Sequence, residues 1–248
     1  MLISKGSKYI YRYFRTILHY NIVLSIWKTY INHCLFSQTV IDKFAMYSGK
    51  RYIIEVEGKE YFDALAQKEE GFIQLSSHIG NYEIAGYTLK ATTKPFNALV
   101  YNGEKRSVMR NRNRLFIHNN IRMIPIENDL SHLFKIDSVL QNGEMVSLPS
   151  DRIFGSQKSI KLNFLGKVAK FPMGPFSVAT LRGLDVLAVN VMKVSKGYKI
   201  YVKPLEYNKK ASRKEQIAEL SEKYVNELER IIKIYPTQWF NFYEFWEK

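Results

Sequence analysis

The chain has 248 residues, of which 46% are apolar, with 37 Lys and Arg against 23 Asp and Glu. That length and apolar content support one sizeable core and exclude a disordered tail. The net charge of +14 calls for an anionic partner, whether a phospholipid surface, nucleic acid or an acidic carrier protein, and the single cysteine, Cys34, excludes an internal disulfide and a thiolate metal cluster. One free thiol suits the reducing cytoplasm or a membrane face exposed to it.

Residues 1–48 read as helix. Lys5, Lys8, Arg12, Arg15 and Lys28 alternate with Tyr9, Ile10, Phe14, Ile17, Leu18 and Trp27. Such a basic, aromatic-rich amphipathic segment either lies on an anionic membrane or packs its apolar stripe on the core, and the two are compatible. The longest apolar candidate, 17–27, is broken by His19, Tyr20, Asn21 and Ser25. It falls short of the roughly eighteen residues a spanning helix needs and lacks a signal-peptide cleavage pattern. The expectation is a chain neither secreted by a visible signal nor anchored by its own span.

Beyond this arm the periodicity alternates. Strand patterns cover 52–56, 72–76, 96–101, 121–126 and 143–148, separated by helical patterns at 60–68, 81–91, 103–116 and 129–141. Strand and helix in turn, joined by short loops, predict βα units on a largely parallel sheet. Periodicity then fails from Arg152 to Gly174, a basic loop crossed by a short strand at 160–164. Gly174-Pro175 opens a small-residue helix that Gly183 closes. Segments 186–194 and 198–205 form a hairpin, and Ser212-Arg213-Lys214-Glu215 is a capping box before one apolar stripe from Ile217 to Ile231. The aromatic tail YPTQWFNFYEFWEK is expected to fold back over the site or the membrane side. The organisation is an N-terminal helical arm over 1–48 and one α/β domain over 49–248.

The chemistry concentrates in 71–89, GFIQLSSHIGNYEIAGYTL. A strand ends at Ser76-Ser77-His78, Gly80 breaks the backbone, and a helical pattern opens at Asn81 with Glu83 in its first turn. Strand ends of this kind carry catalytic side chains in α/β proteins. His78 and Glu83 form an H-x4-E pattern, an imidazole able to take a proton near neutral pH and a carboxylate able to fix its tautomer. Inside a straight helix the two would diverge by about 140°. The Gly80 bend lets Glu83 fold back towards the ring, and Asn81 suits the N-cap.

The spacing alone is weakly specific, and a satisfied structural histidine is the competing reading. His132 and Asp137 share the spacing but sit in an unbroken helical pattern, which marks His132 as an ordinary helix residue. Phosphate-binding loops, a G-x-S-x-G elbow and metal-ligand spacings are all missing from the sequence. A base without an enzyme nucleophile remains, suited to activating a substrate hydroxyl against an activated acyl group.

HIGNYEIAG, LPSDRIFG, FLGKVAKFPMGPFSVA and PTQWFNFYEFW, in this order and spacing, resemble the lysophospholipid acyltransferase superfamily, in its bacterial lipid A late (lauroyl and myristoyl) acyltransferase branch. The resemblance spans residues 11–246 and is far more specific than H-x4-E alone. It implies an α/β fold and acyl transfer from an acyl carrier protein thioester to a lipid hydroxyl at the cytoplasmic face of the inner membrane, with no metal or organic cofactor.

By motif position it makes His78 the base and Glu83 its orienting partner, with Gly80 and Asn81 shaping the turn. Asp151 and Arg152 would lie near the substrates, although Asp151 equally suits a loop cap. Gly174 and Pro175 would line the acyl or acceptor site, the helix N-terminus serving as oxyanion or phosphate donor.

The basic helix with Arg110 and Arg114 one turn apart is either a phosphate or carrier-protein contact or a solvated face. Two departures stand out: the branch's N-terminal membrane-anchoring segment is not seen before Met1, and the P-E-G-T block of glycerolipid acyltransferases is missing. An amino lipid, pigment or lysoglycerophospholipid acceptor is the alternative within the fold, and an anionic-surface or nucleic-acid binding module the alternative outside enzymes.

Overall fold

The computed structural model describes residues 4–89, 94–101, 120–126, 129, 131–153 and 158–246. In chain order these form α1 (Lys5–Arg12), a π-helical turn (Tyr13–Ile17), α2 (Ile22–Tyr47), β1 (Ile54–Glu57), α3 (Lys59–Ala66), β2 (Phe72–Ser76), α4 (Glu83–Thr88), β3 (Phe96–Tyr101) and β4 (Ile121–Ile126). There follow α5 (Ser131–Gln141), β5 (Met145–Pro149), β6 (Ser159–Phe164), β7 (Lys167–Pro172), α6 (Gly174–Leu181), β8 (Asp185–Val194), β9 (Gly197–Pro204), α7 (Arg213–Ile234) and a 3₁₀ turn (Pro236–Gln238).

Seven strands make one sheet in the order β1-β9-β8-β2-β5-β3-β4, and every neighbouring pair is parallel except the β8–β9 hairpin. The mostly parallel sheet expected from the βα alternation is what forms. All five residues of β2 are buried, as a central parallel strand covered on both faces requires.

Alternate side chains feed two cores. Ile73, Leu75, Val146, Leu148 and Val186 pack with Leu220, Tyr224 and Leu228 of α7 and with the aromatic tail. Phe72, Met145, Leu187 and Val189 pack on the other side with Phe62 of α3 and with Ile84, Ala85 and Leu89 of α4. The capping box at Ser212 and Glu215 forms as read, each side chain bonding the other's backbone N–H.

Strand β7 is absent from the sequence reading, which left 165–174 as loop. It pairs with β6 as a separate antiparallel ribbon joined at Leu165-Gly166, with φ of +52° and +81°. A two-residue turn with both φ positive normally announces itself by Asn-Gly or Asp-Gly, and leucine in that place hides it. The strained Leu165 is held by its N–H, which donates to the Glu229 carboxylate.

The expected N-terminal helix is broken. After the π-helical turn the chain bends at His19 (φ +56°) and restarts at Asn21, whose side chain caps α2 through Leu24 N–H at 2.8 Å. The two helices then behave oppositely. Around α1, Ile10, Tyr13, Phe14 and Ile17 are buried in the main core. On α2, Ser25, Thr29 and Asn32 are buried, while Val23, Trp27, Tyr30, Ile41 and Phe44 face outward. That helix is polar inside and apolar outside.

Candidate active site

The pairing of β2 with β5 places the site. Ser76 lies opposite Pro149 in the parallel register, so two residues further along each strand His78 comes opposite Asp151. Both have left the sheet at its C-terminal edge, where α/β proteins hold ligands. His78 Nδ1 lies 2.7 Å from Asp151 Oδ1, and the His78 backbone N–H donates to Oδ2 at 2.9 Å. The Asp151 side chain is 1% exposed and that of His78 19%. Burial pushes the Asp151 carboxyl up, but the His78 charge and hydrogen bonds and the Arg152 guanidinium outweigh it and hold it below the usual carboxylate value.

This corrects the expected partner. The ring nitrogen anticipated for Glu83 is taken by Asp151, and Glu83 instead forms an ion pair with Lys43 of α2 at 2.5 Å. Asp151, expected near the substrates or as a loop cap, sits on the histidine itself, accepting from its ring and its backbone N–H. Asn81 is corrected too: α4 begins at Glu83 with Tyr82 at its cap position. The buried Asn81 side chain turns to the Tyr198 hydroxyl at 3.4 Å, while its N–H donates to Val191 O at 2.8 Å. Tyr198 in turn donates to Asp42 Oδ2 at 2.6 Å, and Asp42 also pairs with Lys193. Neighbouring Asp42 and Lys43 thus fasten the end of α2 beside the site.

Gly80 is required where it stands. Its φ is +56°, and a Cβ there would come within 1.9 Å of Val191 O. The tail closes over this turn. Gly80 N–H donates to Gln238 O at 2.8 Å, Phe240 N–H to His78 O at 3.3 Å, and Gln238 brackets the Lys193 backbone with two side-chain bonds of 2.8 Å. Asn32 of α2 grips the same strap, donating to Thr237 O and Trp239 O at 2.9 Å. The expectation that the aromatic tail folds back over the site holds, and its chain path is now explicit.

A cavity of about 480 Å³ opens beside the histidine, within the range of ligand pockets. His78, Tyr82, Glu83 and Arg152 line its polar end; Phe96, Leu99, Ile121 and Ile136 are among the apolar side chains of the rest. The Tyr82 ring meets His78 edge-on at 5.6 Å, and Tyr82 is 39% exposed, a contact the sequence reading missed.

Arg152 donates to Phe240 O at 2.6 Å and lies over the Tyr243 ring, while its buried Nε finds no hydrogen-bond partner among the described residues. Gly174 and Pro175, at the start of α6, also line the cavity. So does His132, which sits on the continuous helix expected of it but faces inward with Ile136, one turn on. Its apolar partners at i+4 and i+8 were the available signal. Arg110 and Arg114 lie outside the described residues. Among the described residues no three His, Cys, Asp or Glu side chains are grouped to hold a metal.

The model of the bacterial lipid A biosynthesis acyltransferase family matches residues 27–248. The chain belongs to that family. As a lipid A biosynthesis acyltransferase it passes an acyl group to a lipid precursor. The family model begins inside α2, so the whole of the sheet, the His78 turn and the strap of this acyltransferase lie within it. Among solved structures, the 1-acyl-sn-glycerophosphate (LPA) acyltransferase PlsC from Thermotoga maritima is similar, with 18% identity over 94% of this chain and 96% of that one and a TM-score of 0.44. Comparison with curated proteins finds no match. No helix among the described residues of the acyltransferase is long and apolar enough to cross a membrane.

Proposed function

We propose that this acyltransferase takes its acyl group from an acyl carrier protein thioester and delivers it to a hydroxyl of a lipid A precursor or related membrane lipid, with His78 as general base. The observation that carries this reading is the His78–Asp151 pair at the polar end of an apolar cavity. An ionised carboxylate only accepts, so Asp151 holds the proton on Nδ1 and leaves the Nε2 lone pair for the substrate. Nε2 removes the proton of the acceptor hydroxyl as its oxygen attacks the thioester carbonyl. The tetrahedral intermediate collapses, the C–S bond breaks, and the departing thiol receives the proton from the imidazolium.

Arg152 and the first-turn amides at Gly174 border the same space and supply positive potential for the developing oxyanion or a substrate phosphate. Glu83 acts through its ion pair with Lys43, holding α4 and α2 together at the polar end. The excess of 14 positive charges suits an acidic carrier protein and an anionic membrane surface.

The outward stripe of α2 supports a peripheral seat on the cytoplasmic face of the inner membrane: Val23, Trp27, Tyr30, Ile41 and Phe44 recur at helical spacing and are all exposed. A helix that turns Ser25, Thr29 and Asn32 inward and these outward has its apolar partner outside the fold.

The test is His78→Ala with purified acyl carrier protein thioester and acceptor lipid, read by mass spectrometry of the product. Loss of about 10²–10⁴ in rate is expected. Asp151 keeps the bond from the residue-78 backbone N–H in that variant, so circular dichroism should report an intact fold. Near-normal transfer would overturn the role of His78.

A further inference from the structure

Asp42 stands in the last turns of α2, buried, and does not line the cavity. Three donors converge on its carboxylate. Tyr198 of β9 donates to Oδ2 at 2.6 Å, Tyr52 donates to Oδ1 at 3.1 Å, and the Lys193 ammonium on β8 pairs with Oδ2. A buried carboxylate has to be satisfied by donors. That need does not explain where two of these donors lead.

Both lead to the turn after His78. The Tyr198 hydroxyl accepts from Asn81 Nδ2 at 3.4 Å, and Asn81 N–H is itself held by Val191 O. On the other side the Gln238 side chain brackets the Lys193 backbone, and the Gln238 carbonyl accepts from Gly80 N–H at 2.8 Å. Gly80 and Asn81 are neighbours, two and three residues past His78. The contacts therefore close a ring: Asp42, Tyr198, Asn81, Gly80, Gln238, Lys193 and back to Asp42. Lys193 Nζ also lies over the Tyr198 ring at 5.0 Å, which ties the two arms together. An open chain of contacts can swing about its free end; a closed one holds every member.

Anchoring α2 alone would not require both arms. That helix is already fastened by Lys43 to Glu83 and by Asn32 to the tail. The arm through Tyr198 reaches past the helix to the turn that carries the histidine.

We propose that Asp42 is a positioning residue for His78: its carboxylate joins the two arms that hold Gly80 and Asn81, and so fixes where the imidazole stands beside the cavity. This rests on the reading of His78 as the base. Asp151 sets the tautomer, whereas Asp42 sets the position of the turn and touches neither the ring nor the substrates. A displacement of about 1 Å at a catalytic group costs up to about 10²-fold in rate. The loss falls on kcat, because the cavity lining stays as it is.

Asp42→Asn, Tyr198→Phe and the double variant test it with two readouts. Rates are measured well below the melting temperature of each variant, with acyl carrier protein thioester and acceptor lipid. The second readout needs no turnover: the NMR signal of the His78 Nδ1 proton in ¹⁵N-histidine-labelled protein, assigned by its loss in His78→Ala.

Asp42→Asn should lower kcat by about 10–10²-fold, with KM within about twofold and the shape of the pH–rate profile unchanged. Its Nδ1 proton signal should shift and broaden. Tyr198→Phe opens one arm and keeps both the aromatic ring and the Asp42–Lys193 pair. It should lower kcat by about three- to tenfold, the equivalent of one hydrogen bond, and it carries the test if Asp42→Asn does not fold. Added to Asp42→Asn, the same substitution should cost less than about twofold more, since the ring is already open. Wild-type kcat in the single variants, losses that multiply in the double variant, a loss carried by KM, or an unmoved Nδ1 proton overturns the proposal. Transfer that survives His78→Ala would instead end the reading of His78 as base, and the proton signal would still report whether Asp42 places the ring.

Discussion

Two carboxylates approach the His78 turn, and they reach it by different routes. Glu83 is five residues away in sequence, on the first turn of the next helix, and is bound to Lys43. Asp151 is 73 residues away and lies on the ring, because parallel β2 and β5 end side by side. Proximity along the chain gives a helix side chain a choice of directions, and the cation on α2 captures it. Sheet register gives no choice: two residues past matched strand ends are opposite one another. A pair built on register is therefore the more rigid of the two, which a tautomer-fixing contact needs.

Replacing each carboxylate by its amide separates them. Asp151→Asn should lower the transfer rate by about 10²–10⁴, since an amide can donate to Nδ1 and stabilise the wrong tautomer. Glu83→Gln should cost no more than about tenfold in rate, comparable with loss of a supporting contact. It should cost more in stability, about 1–3 kcal/mol by chemical denaturation, because the Lys43 side chain is 19% exposed and loses its partner. If Glu83→Gln instead matched Asp151→Asn in rate while leaving stability intact, Glu83 would regain the orienting role.

The same distinction sets what the sequence made legible. The pattern of alternating strands and helices is local, and β3 and β4 fall at 96–101 and 121–126 as the periodicity places them. His78 and Gly80 were legible because a strand end and a left-handed turn are written in adjacent residues. Asp151 was visible as a residue following a strand, but its contact depends on β2 and β5 being neighbours, and strand order leaves no local mark. The two readings of the N-terminal arm, core-packed or membrane-facing, divide between α1 and α2 because the break at His19 lets each turn a different face inward. The inward side of α2 is small and polar, so only its partners, Asn32 to the tail above all, reveal that it is the buried side.

The strap offers a smaller perturbation of the same comparison. Gln238 touches neither carboxylate, but its carbonyl holds Gly80 and its side chain brackets Lys193, which pairs with Asp42. Gln238→Ala removes two partly buried hydrogen bonds and should cost about 1–2 kcal/mol. Because the backbone bond to Gly80 survives, the rate should fall by less than about tenfold, mainly in kcat, with the shape of the pH–rate profile unchanged. A shifted profile would mean that the tail sets the electrostatics of the His78 pair and not only its position.

The pH dependence of stability gives the finest cut. Asp151 has a depressed carboxyl pKa in the fold, so the unfolded chain takes up its proton first as the solution is acidified, at about 3.9. Its stabilising contribution is complete above that value and disappears as pH falls through the depressed folded one. The stability gap between wild type and Asp151→Asn should thus hold steady down to about pH 4 and change below it, by less than the amide substitution itself costs at neutrality. A gap that stays level well below about pH 4 would show that the His78 turn does not favour the ionised form of Asp151, and the electrostatic part of the register-built pair would fail with it.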